Sequence, residues 1–292
     1  MSGIHIVTDS ACDLPPATAL EYNIDVVPLT IRFGEEEFVD GRDLSPKEFW
    51  ARCANSPVLP ETAAPSPGAF EAAFRRAADG GTDGVVCVNL SSELSATYQA
   101  AQLGAEAVKA DLAVRVIDSR TITMAEGLLA IAGSQAAAKG MSLDEVADVV
   151  TKQAATMRII AALDTLENLK KGGRVSGVQA MLGSMLSIKP IVQVLDGKVV
   201  EEGKQRTRSR SLHYVIEKFK AAGGAESEFV AVMHGDAPDF DDFVEELSEA
   251  IGRPRTDMLI ADVGAVIGTH AGPRVIGIGY SIGSQPEVAP RT

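Results

Sequence analysis

The chain has 292 residues, of which 46% are hydrophobic, so it can bury a substantial core in one large domain or in two of ordinary size. Its 27 lysines and arginines against 40 aspartates and glutamates give a net charge of −13, which repels a phosphate backbone and argues against nucleic acid as a partner. The three cysteines form no CxxC pair, and no segment reaches about 18 consecutive apolar residues. We therefore expect a cytoplasmic protein with reduced thiols, no signal peptide and no integral membrane segment.

Strand-like apolar runs alternate with helical patterns through the first half of the chain, which is typical of an α/β domain. Capping residues mark the helix starts, because Ser45 and Ser142 each precede a glutamate by three residues and Ser66 precedes a proline. Two continuously apolar runs, 84–89 and 113–118, predict parallel strands covered on both faces. The other predicted elements are strands over 4–7 and 25–33 and helices over 16–22, from 46, over 67–79 and from 143 to about 156.

A domain boundary near residue 157 divides the chain into predicted domains of residues 1–157 and 158–292. Asp196-Gly197 predicts a hairpin turn between strands 191–195 and 198–201. We expect an α/β fold with a mostly parallel sheet in the first domain and a second α/β domain with an antiparallel portion. The other predicted elements are strands 158–163, 229–234, 258–267 and 275–280 and helices 165–171, 178–186, 209–222 and 240–251.

A lone histidine, His270, lies in a glycine-rich turn between the last two predicted strands. Gly268 and Gly272 permit backbone angles that a side chain would forbid, so the turn can present an imidazole at a strand end. Ligand sites of α/β proteins concentrate at such ends. His270 is therefore a candidate binding residue, and the alternative is a satisfied loop histidine.

Three other segments carry side chains that suit an anion. Thr62 lies in the proline-rich loop 60–67, where a hydroxyl either faces a cleft or is simply exposed. Arg174 follows Gly172-Gly173 and can form a fork with a carboxylate or phosphate. A run of hydroxyls follows a buried strand at a helix start, where free N–H groups favour anions, although each hydroxyl could be a cap. These hydroxyls belong to Ser91, Ser92, Ser95 and Thr97.

Arg206 and Arg208 lie at the start of a predicted helix, where cations oppose the helix dipole. They could dock an acidic partner, bind phosphates or simply be solvated. The aspartates at 9, 13, 236, 239, 241 and 242 mostly adjoin helix starts and stabilise the dipole there, so we expect no metal site. The chain also lacks a GxGxxG fingerprint, a GxSxG elbow and a P-loop, so dinucleotide binding and ATP turnover by this chain alone are not expected.

Five ordered blocks resemble the DegV family of fatty-acid-binding proteins over nearly the full length. The blocks are Ile6-Val-Thr-Asp-Ser10 with Asp13-Leu-Pro15, Thr62-Ala-Ala-Pro-Ser66, Ser91-Ser-Glu-Leu-Ser-Ala-Thr-Tyr98, Lys171-Gly-Gly-Arg174 and Gly268-Thr-His-Ala-Gly-Pro273. The resemblance implies a two-domain DegV-like fold that holds one long-chain fatty acid near the domain interface, with no cofactor and no catalytic residue. It also implies an acyl carrier whose partner, the catalytic subunit of a bacterial fatty acid kinase, converts the carboxylate to an acyl phosphate for phospholipid metabolism.

The resemblance further implies which side chains lie at the fatty-acid carboxylate. Carried over by motif, these are Thr62, Ser95, Arg174 and His270, and Ser92 is a possible additional head-group contact. Arg206 and Arg208 are the candidates for docking the kinase. The chain departs from the family pattern at Ala63, Ala64, Ala96 and Arg274, where the family has serine, glutamine, glycine and glycine.

A serine- and histidine-dependent lipid or ester hydrolase is the alternative function. It needs one serine as nucleophile, His270 as base and a third group that orients the imidazole. The sequence identifies no such third group, so the carrier is the favoured reading.

Overall fold

The computed structural model describes residues 3–179 and 188–283, which form three β-sheets and ten α-helices. The strands are β1 (Ile4–Asp9), β2 (Ile24–Val27), β3 (Thr30–Phe33), β4 (Glu36–Val39), β5 (Glu61–Ala63), β6 (Gly84–Asn89), β7 (Val114–Asp118), β8 (Met157–Ala162), β9 (Lys189–Leu195), β10 (Lys198–Gln205), β11 (Val230–His234), β12 (Leu259–Asp262) and β13 (Ile276–Ser281). The helices are α1 (Pro16–Glu21), α2 (Pro46–Asn55), α3 (Pro67–Asp79), α4 (Thr97–Val108), α5 (Thr123–Ala138), α6 (Leu143–Thr156), α7 (Glu167–Lys171), α8 (Arg208–Ala221), α9 (Phe240–Ile251) and α10 (Ala265–Ala271).

The first sheet is parallel, in the order β2-β1-β6-β7. Its strands are apolar on both faces because helices cover both: Val7 packs in one core with α3 and α4, and Ile6 packs in another with α5 and α6. The chain leaves β1 toward one side of the sheet and β6 toward the other. Such a reversal of strand order opens a crevice at the carboxyl ends of the two strands, which is the usual ligand position in open α/β sheets.

The second sheet has the order β10-β9-β8-β13-β11-β12 and is antiparallel except for the β11–β12 pair. One face packs on α8 and α9, with Phe219 and Phe243 in its core. The other face turns toward the first half of the chain and shares a core with α5. The predicted fold class, a parallel first sheet and a second sheet with an antiparallel portion, is confirmed. All six of these strands begin at residue 157 or later, and the division into residues 1–157 and 158–292 stays a prediction.

Local capping signals predicted the helix starts correctly. Ser45 and Ser142 form complete capping boxes at α2 and α6, and Ser66 accepts from the Ala69 N–H at α3. The predicted hairpin is also present, since Asp196 and Gly197 have φ of 50° and 80°, the left-handed pair that a tight two-residue turn requires.

Four sequence predictions differ from the structure or lie outside it. Residues 25–33 form two strands in different sheets, because Pro28 has no N–H and Ser10 accepts the N–H of Leu29. Residues 258–267 end as a strand at Asp262, and α10 follows, so His270 lies on a helix. Thr62 lies on β5, the edge of the small sheet β4-β3-β5, and not in a loop. The predicted helix 178–186 lies almost entirely outside the described residues.

Candidate functional site

A cavity lies between the second sheet and the first half of the chain. It contains about 870 Å³ of space free of protein atoms, including the part that opens to solvent. Four residues paired in register across neighbouring strands line it: Met233, Gly277, Ala161 and Val192. Much of the remaining wall is leucine, isoleucine and valine, including Leu90, Leu94, Ile122, Leu163, Val194 and Val266.

The four side chains that the family resemblance assigns to a carboxylate all line this cavity: Thr62, Ser95, Arg174 and His270. They come from β5, the loop before α4, the loop after α7, and α10. Residues far apart in sequence therefore meet at one apolar cavity. The structure brings these four residues together, and their contact with a ligand stays a proposal.

His270 is connected to Thr62 by a hydrogen bond of 3.0 Å between Nε2 and Oγ1. Burial, with a further contribution from the charge of Arg174, lowers the pKa of His270 to about 4, so the imidazole is neutral at pH 7. Its Nδ1 is buried without a hydrogen-bond partner among the described residues. The ring thus has one defined partner, the Thr62 hydroxyl.

Close backbone approach fixes where α10 can lie. A Cβ on Gly268 would come within 2.7 Å of the rings of Phe49 and Trp50, and a Cβ on Gly172 within 2.2 Å of the imidazole of His270. Gly268 is helical, so it is required for space and not for a turn conformation as the sequence had suggested. Gly272 does have a positive φ, of 79°, where α10 ends.

Arg174 joins two walls of the cavity. Its Nη1 donates to the carbonyl of Gly172 at 2.6 Å, and its Nε donates to the carbonyl of Leu94 at 3.1 Å. The first bond places the guanidinium beside the segment that contacts His270, and the second places it beside the residue before Ser95. These two bonds use two of the five N–H donors of the guanidinium. Among the described residues, the guanidinium therefore retains donors for a ligand.

The serine segment divides its hydroxyls between the fold and the cavity. Ser95 Oγ lies 2.9 Å from Thr97 Oγ1 and lines the cavity. Ser92 is exposed, donates to Asp118 at 2.5 Å and does not line the cavity. Ser91 is buried and donates to the carbonyl of Gly197. Of the three serines, the structure brings only Ser95 together with Thr62, Arg174 and His270.

The two arginines proposed for docking have different surroundings. Arg208, the first residue of α8, forms a bidentate pair with Asp239 at 2.8 and 3.0 Å, and its side chain is only 13% exposed. These hydrogen bonds lower the pKa of the Asp239 carboxyl, and the pair accounts for a cation at a helix start. Arg206 is exposed beside a surface depression that includes Asp164, Glu167 and Lys189, just before α7.

Buried carboxylates lie behind the cavity; the sequence predicts two of them, Asp9 and Asp13, to be helix-dipole partners and does not single out Asp40 or Glu126. Burial raises the pKa of Asp9 and of Asp40 to about 6 and that of Asp13 to about 8. It also raises the pKa of Glu126, to which Thr8 donates at 3.0 Å. Backbone N–H groups offset the cost: Asp9 accepts from Leu90, which lines the cavity. The signal in the sequence is Asp9, a carboxylate at the end of a largely apolar strand.

No helix within residues 3–179 and 188–283 is long and apolar enough to cross a membrane. In the same residues, no group of three or more His, Cys, Asp or Glu side chains is placed to hold a metal ion.

The chain is similar to proteins of one family over almost its whole length. A family model described as "Uncharacterised protein, DegV family" matches residues 3–282. A DegV domain-containing protein of Streptomyces coelicolor is 36% identical over 278 residues, 94% of this chain and 97% of the relative.

Solved structures agree in fold. A fatty-acid-binding DegV family protein of Thermus thermophilus has a TM-score of 0.85 at 28% identity, covering 96% of this chain and 100% of that one. A stearic-acid-binding protein of Eubacterium ventriosum has a TM-score of 0.88 at 27% identity, covering 97% and 98%. The resemblance found in the five sequence blocks is thereby confirmed, and this chain belongs to the DegV family.

Proposed function

We propose that this protein binds one long-chain fatty acid, with the alkyl chain in the apolar cavity and the carboxylate at Thr62, Ser95, Arg174 and His270. The observation that carries the proposal is that these four polar residues line one cavity that is otherwise mostly apolar, with Thr62 hydrogen-bonded to His270 and Arg174 anchored to the carbonyls of Gly172 and Leu94. The fatty-acid-binding descriptions of similar structures support the ligand class.

The alkyl chain supplies most of the affinity in this proposal. Burial yields about 0.8 kcal/mol per CH₂, so about 14 methylenes give roughly 11 kcal/mol before the cost of association. A carboxylate loses several kcal/mol of hydration unless donors replace the water. The hydroxyls and the guanidinium offset that loss and fix which end of the ligand faces out.

The neutral imidazole has a defined task in this arrangement. To donate to a carboxylate, the Thr62 hydroxyl must direct its own hydrogen toward the ligand. The 3.0 Å contact then has His270 Nε2–H donating to Thr62 Oγ1, which fixes the imidazole tautomer with Nδ1 unprotonated. His270 in this way orients and polarises the hydroxyl that contacts the ligand.

Gently purified protein is expected to carry about one fatty acid per chain, because a ligand that is bound this tightly dissociates slowly. Native mass spectrometry measures the bound mass directly, and the denatured protein serves as the control. An apo mass alone, with no uptake of added palmitate or oleate, would refute the proposed function.

The geometry gives the hydrolase alternative little support. Ser95 pairs with Thr97 and not with His270, and no described residue bonds Nδ1 of the imidazole, where a hydrolase places its orienting carboxylate. A single-turnover assay with an acyl ester separates the two functions, since a carrier releases no burst of acid.

We further propose that the bound carboxylate is the substrate of a separate kinase in the cytoplasm. An oxygen of the fatty-acid carboxylate attacks the γ-phosphorus of ATP. The bond between that phosphorus and the oxygen that bridges to the β-phosphate breaks, and ADP leaves. The family resemblance supports this step, and the nucleotide site belongs to the partner. Of the two docking candidates, Arg208 is paired with Asp239, whereas Arg206 is exposed and has no ion pair within residues 3–179 and 188–283.

Arg206→Glu is expected to leave fatty-acid affinity unchanged while lowering acyl-phosphate formation by a cognate kinase about tenfold, since a rim charge steers and orients the encounter. Hydroxylamine trapping of the acyl phosphate measures the rate. Lys220→Glu, a charge reversal of an exposed lysine on the far end of α8, is the matched control. Equal trapping rates for Arg206→Glu and the parent would remove Arg206 from the docking surface.

A further inference from the structure

Two residues with left-handed backbone conformations contact each other behind the cavity. Asp13 has φ of 52° and Thr123 has φ of 51°. A β-branched residue such as threonine is a marked exception in this region, and a residue held there requires support from its surroundings. The support is visible, because Thr123 Oγ1 donates to Asp13 Oδ2 at 2.6 Å in a buried contact.

The second carboxylate oxygen of Asp13 reaches the other half of the chain. The N–H of Gly264, the residue before α10, donates to Asp13 Oδ1 at 2.9 Å. A Cβ on Gly264 would lie 2.8 Å from the same oxygen, so any other residue there would require the Asp13 side chain to shift. Asp13 thus connects Thr123, which lines the cavity, with the start of the helix that carries His270.

Helix α10 depends on such contacts because it has only seven residues, too few to be stable alone. Several side chains from other segments bond to it or to the residues just before it. The N–H of its N-cap, Gly264, donates to Asp13, the indole of Trp50 donates to the carbonyl of Val263 at 3.1 Å, and the amide of Asn168 donates to the carbonyl of Thr269 at 3.1 Å. Asp13 also accepts from Thr123, which lies on another part of the cavity wall.

We propose that Asp13 is a positioning residue of the fatty-acid site, which sets the place of His270 and so the direction of the Thr62 hydroxyl. This inference rests on the proposed function for the identity of the ligand, whereas the hydrogen bonds of Asp13 are observed in the structure. The hydrogen bonds of Asp13 among the described residues reach Thr123 and Gly264 and not Thr62, so its effect on His270 passes through α10.

The test compares two substitutions of Asp13 by calorimetric titration with palmitate. Asp13→Ala is expected to weaken binding about tenfold, within the range found for coupled neighbours. Asp13→Asn is expected to stay within about threefold of the parent, since its amide oxygen can accept from Gly264 and its amide N–H can donate to Thr123 Oγ1. In a His270→Ala background, Asp13→Ala should cost less than about twofold.

Leu247→Ala is the control that distinguishes a general loss of stability from a displacement of α10. Leu247 is fully buried on the far face of the second sheet, so this variant loses stability and should keep its affinity. Equal effects of Asp13→Ala with and without His270 would overturn the proposal, as would an unchanged affinity. If Asp13→Ala does not fold, Thr123→Ala, which removes one donor, and Thr123→Ser, which keeps it, make the same comparison.

The titration of His270 by NMR provides a readout that needs no ligand. Its signal is identified by its loss in His270→Ala. Asp13→Ala is expected to raise the pKa of His270 from about 4 toward its ordinary value, because a displaced α10 exposes the imidazole to water, while Leu247→Ala leaves it unchanged. Should the parent bind no fatty acid, the proposed function fails, and the titration still decides on Asp13.

Discussion

Replacing Ala161 by phenylalanine is expected to weaken palmitate binding at least about 100-fold. Ala161 lies in the row that lines the cavity, paired with Gly277 on one side and Val192 on the other. Its side chain is only a methyl group, so it takes up little of the cavity. A phenyl ring would displace about four methylenes, at about 0.8 kcal/mol each, which converts to about two orders of magnitude in affinity.

Calorimetric titration with acids of different length checks this expectation. Octanoate should lose less affinity than palmitate, because fewer of its methylenes need the blocked space. Ala221→Phe is the matched control, since Ala221 is exposed on α8 beyond the far face of the second sheet. Circular dichroism verifies that Ala161→Phe is folded. Equal affinity for palmitate in this variant and the parent would show that the alkyl chain lies elsewhere.

Arg174→Ala is expected to lower palmitate affinity by about 10- to 150-fold, the loss for a hydrogen bond to a charged group of about 1.5–3 kcal/mol. The guanidinium is anchored by the carbonyls of Gly172 and Leu94, so its remaining donors are held in place before a ligand arrives. Arg174→Lys keeps the charge but loses the fork, and it should recover only part of the affinity.

Comparing hexadecanol with palmitate distinguishes the loss of the Arg174 charge from a change in the shape of the site. This alcohol has the same chain as palmitate but no carboxylate, so Arg174→Ala should lower its affinity by less than about threefold. Calorimetry or competition with a fluorescent fatty acid gives both values. If the variant loses alcohol and acid binding alike, Arg174 shapes the loops around Ser95 and His270, and the carboxylate contact is refuted.

Elements that are specified locally could be predicted from the sequence. The capping boxes at Ser45 and Ser142 place two helix starts within the residues that specify them, and Asp196-Gly197 specifies a hairpin by backbone angles alone. The parallel strands β6 and β7 followed from apolar runs covered on both faces. Each of these signals acts over a few residues.

The errors arose where distant residues decided the outcome. Ala265-Val-Ile-Gly-Thr-His-Ala271 is as apolar as a strand, and short apolar runs do not distinguish strand from helix. It is a helix where Asp13 binds its start and the rings of Phe49 and Trp50 pack against Gly268. Likewise, Ser10 takes the N–H of Leu29 and divides one predicted strand into two.

The sequence by itself determined the α/β class, the helix starts, the hairpin and, through five short blocks, the family and its candidate residues. Only the tertiary structure decided that Thr62, Ser95, Arg174 and His270 share one cavity, that Ser92 lies outside it and that Arg208 is paired with Asp239. Local signals encode backbone geometry over a few residues, whereas a cavity is the space that packed elements leave between them. Its shape depends on contacts such as Asp13 to Gly264, 251 residues apart, and no sequence window contains both partners.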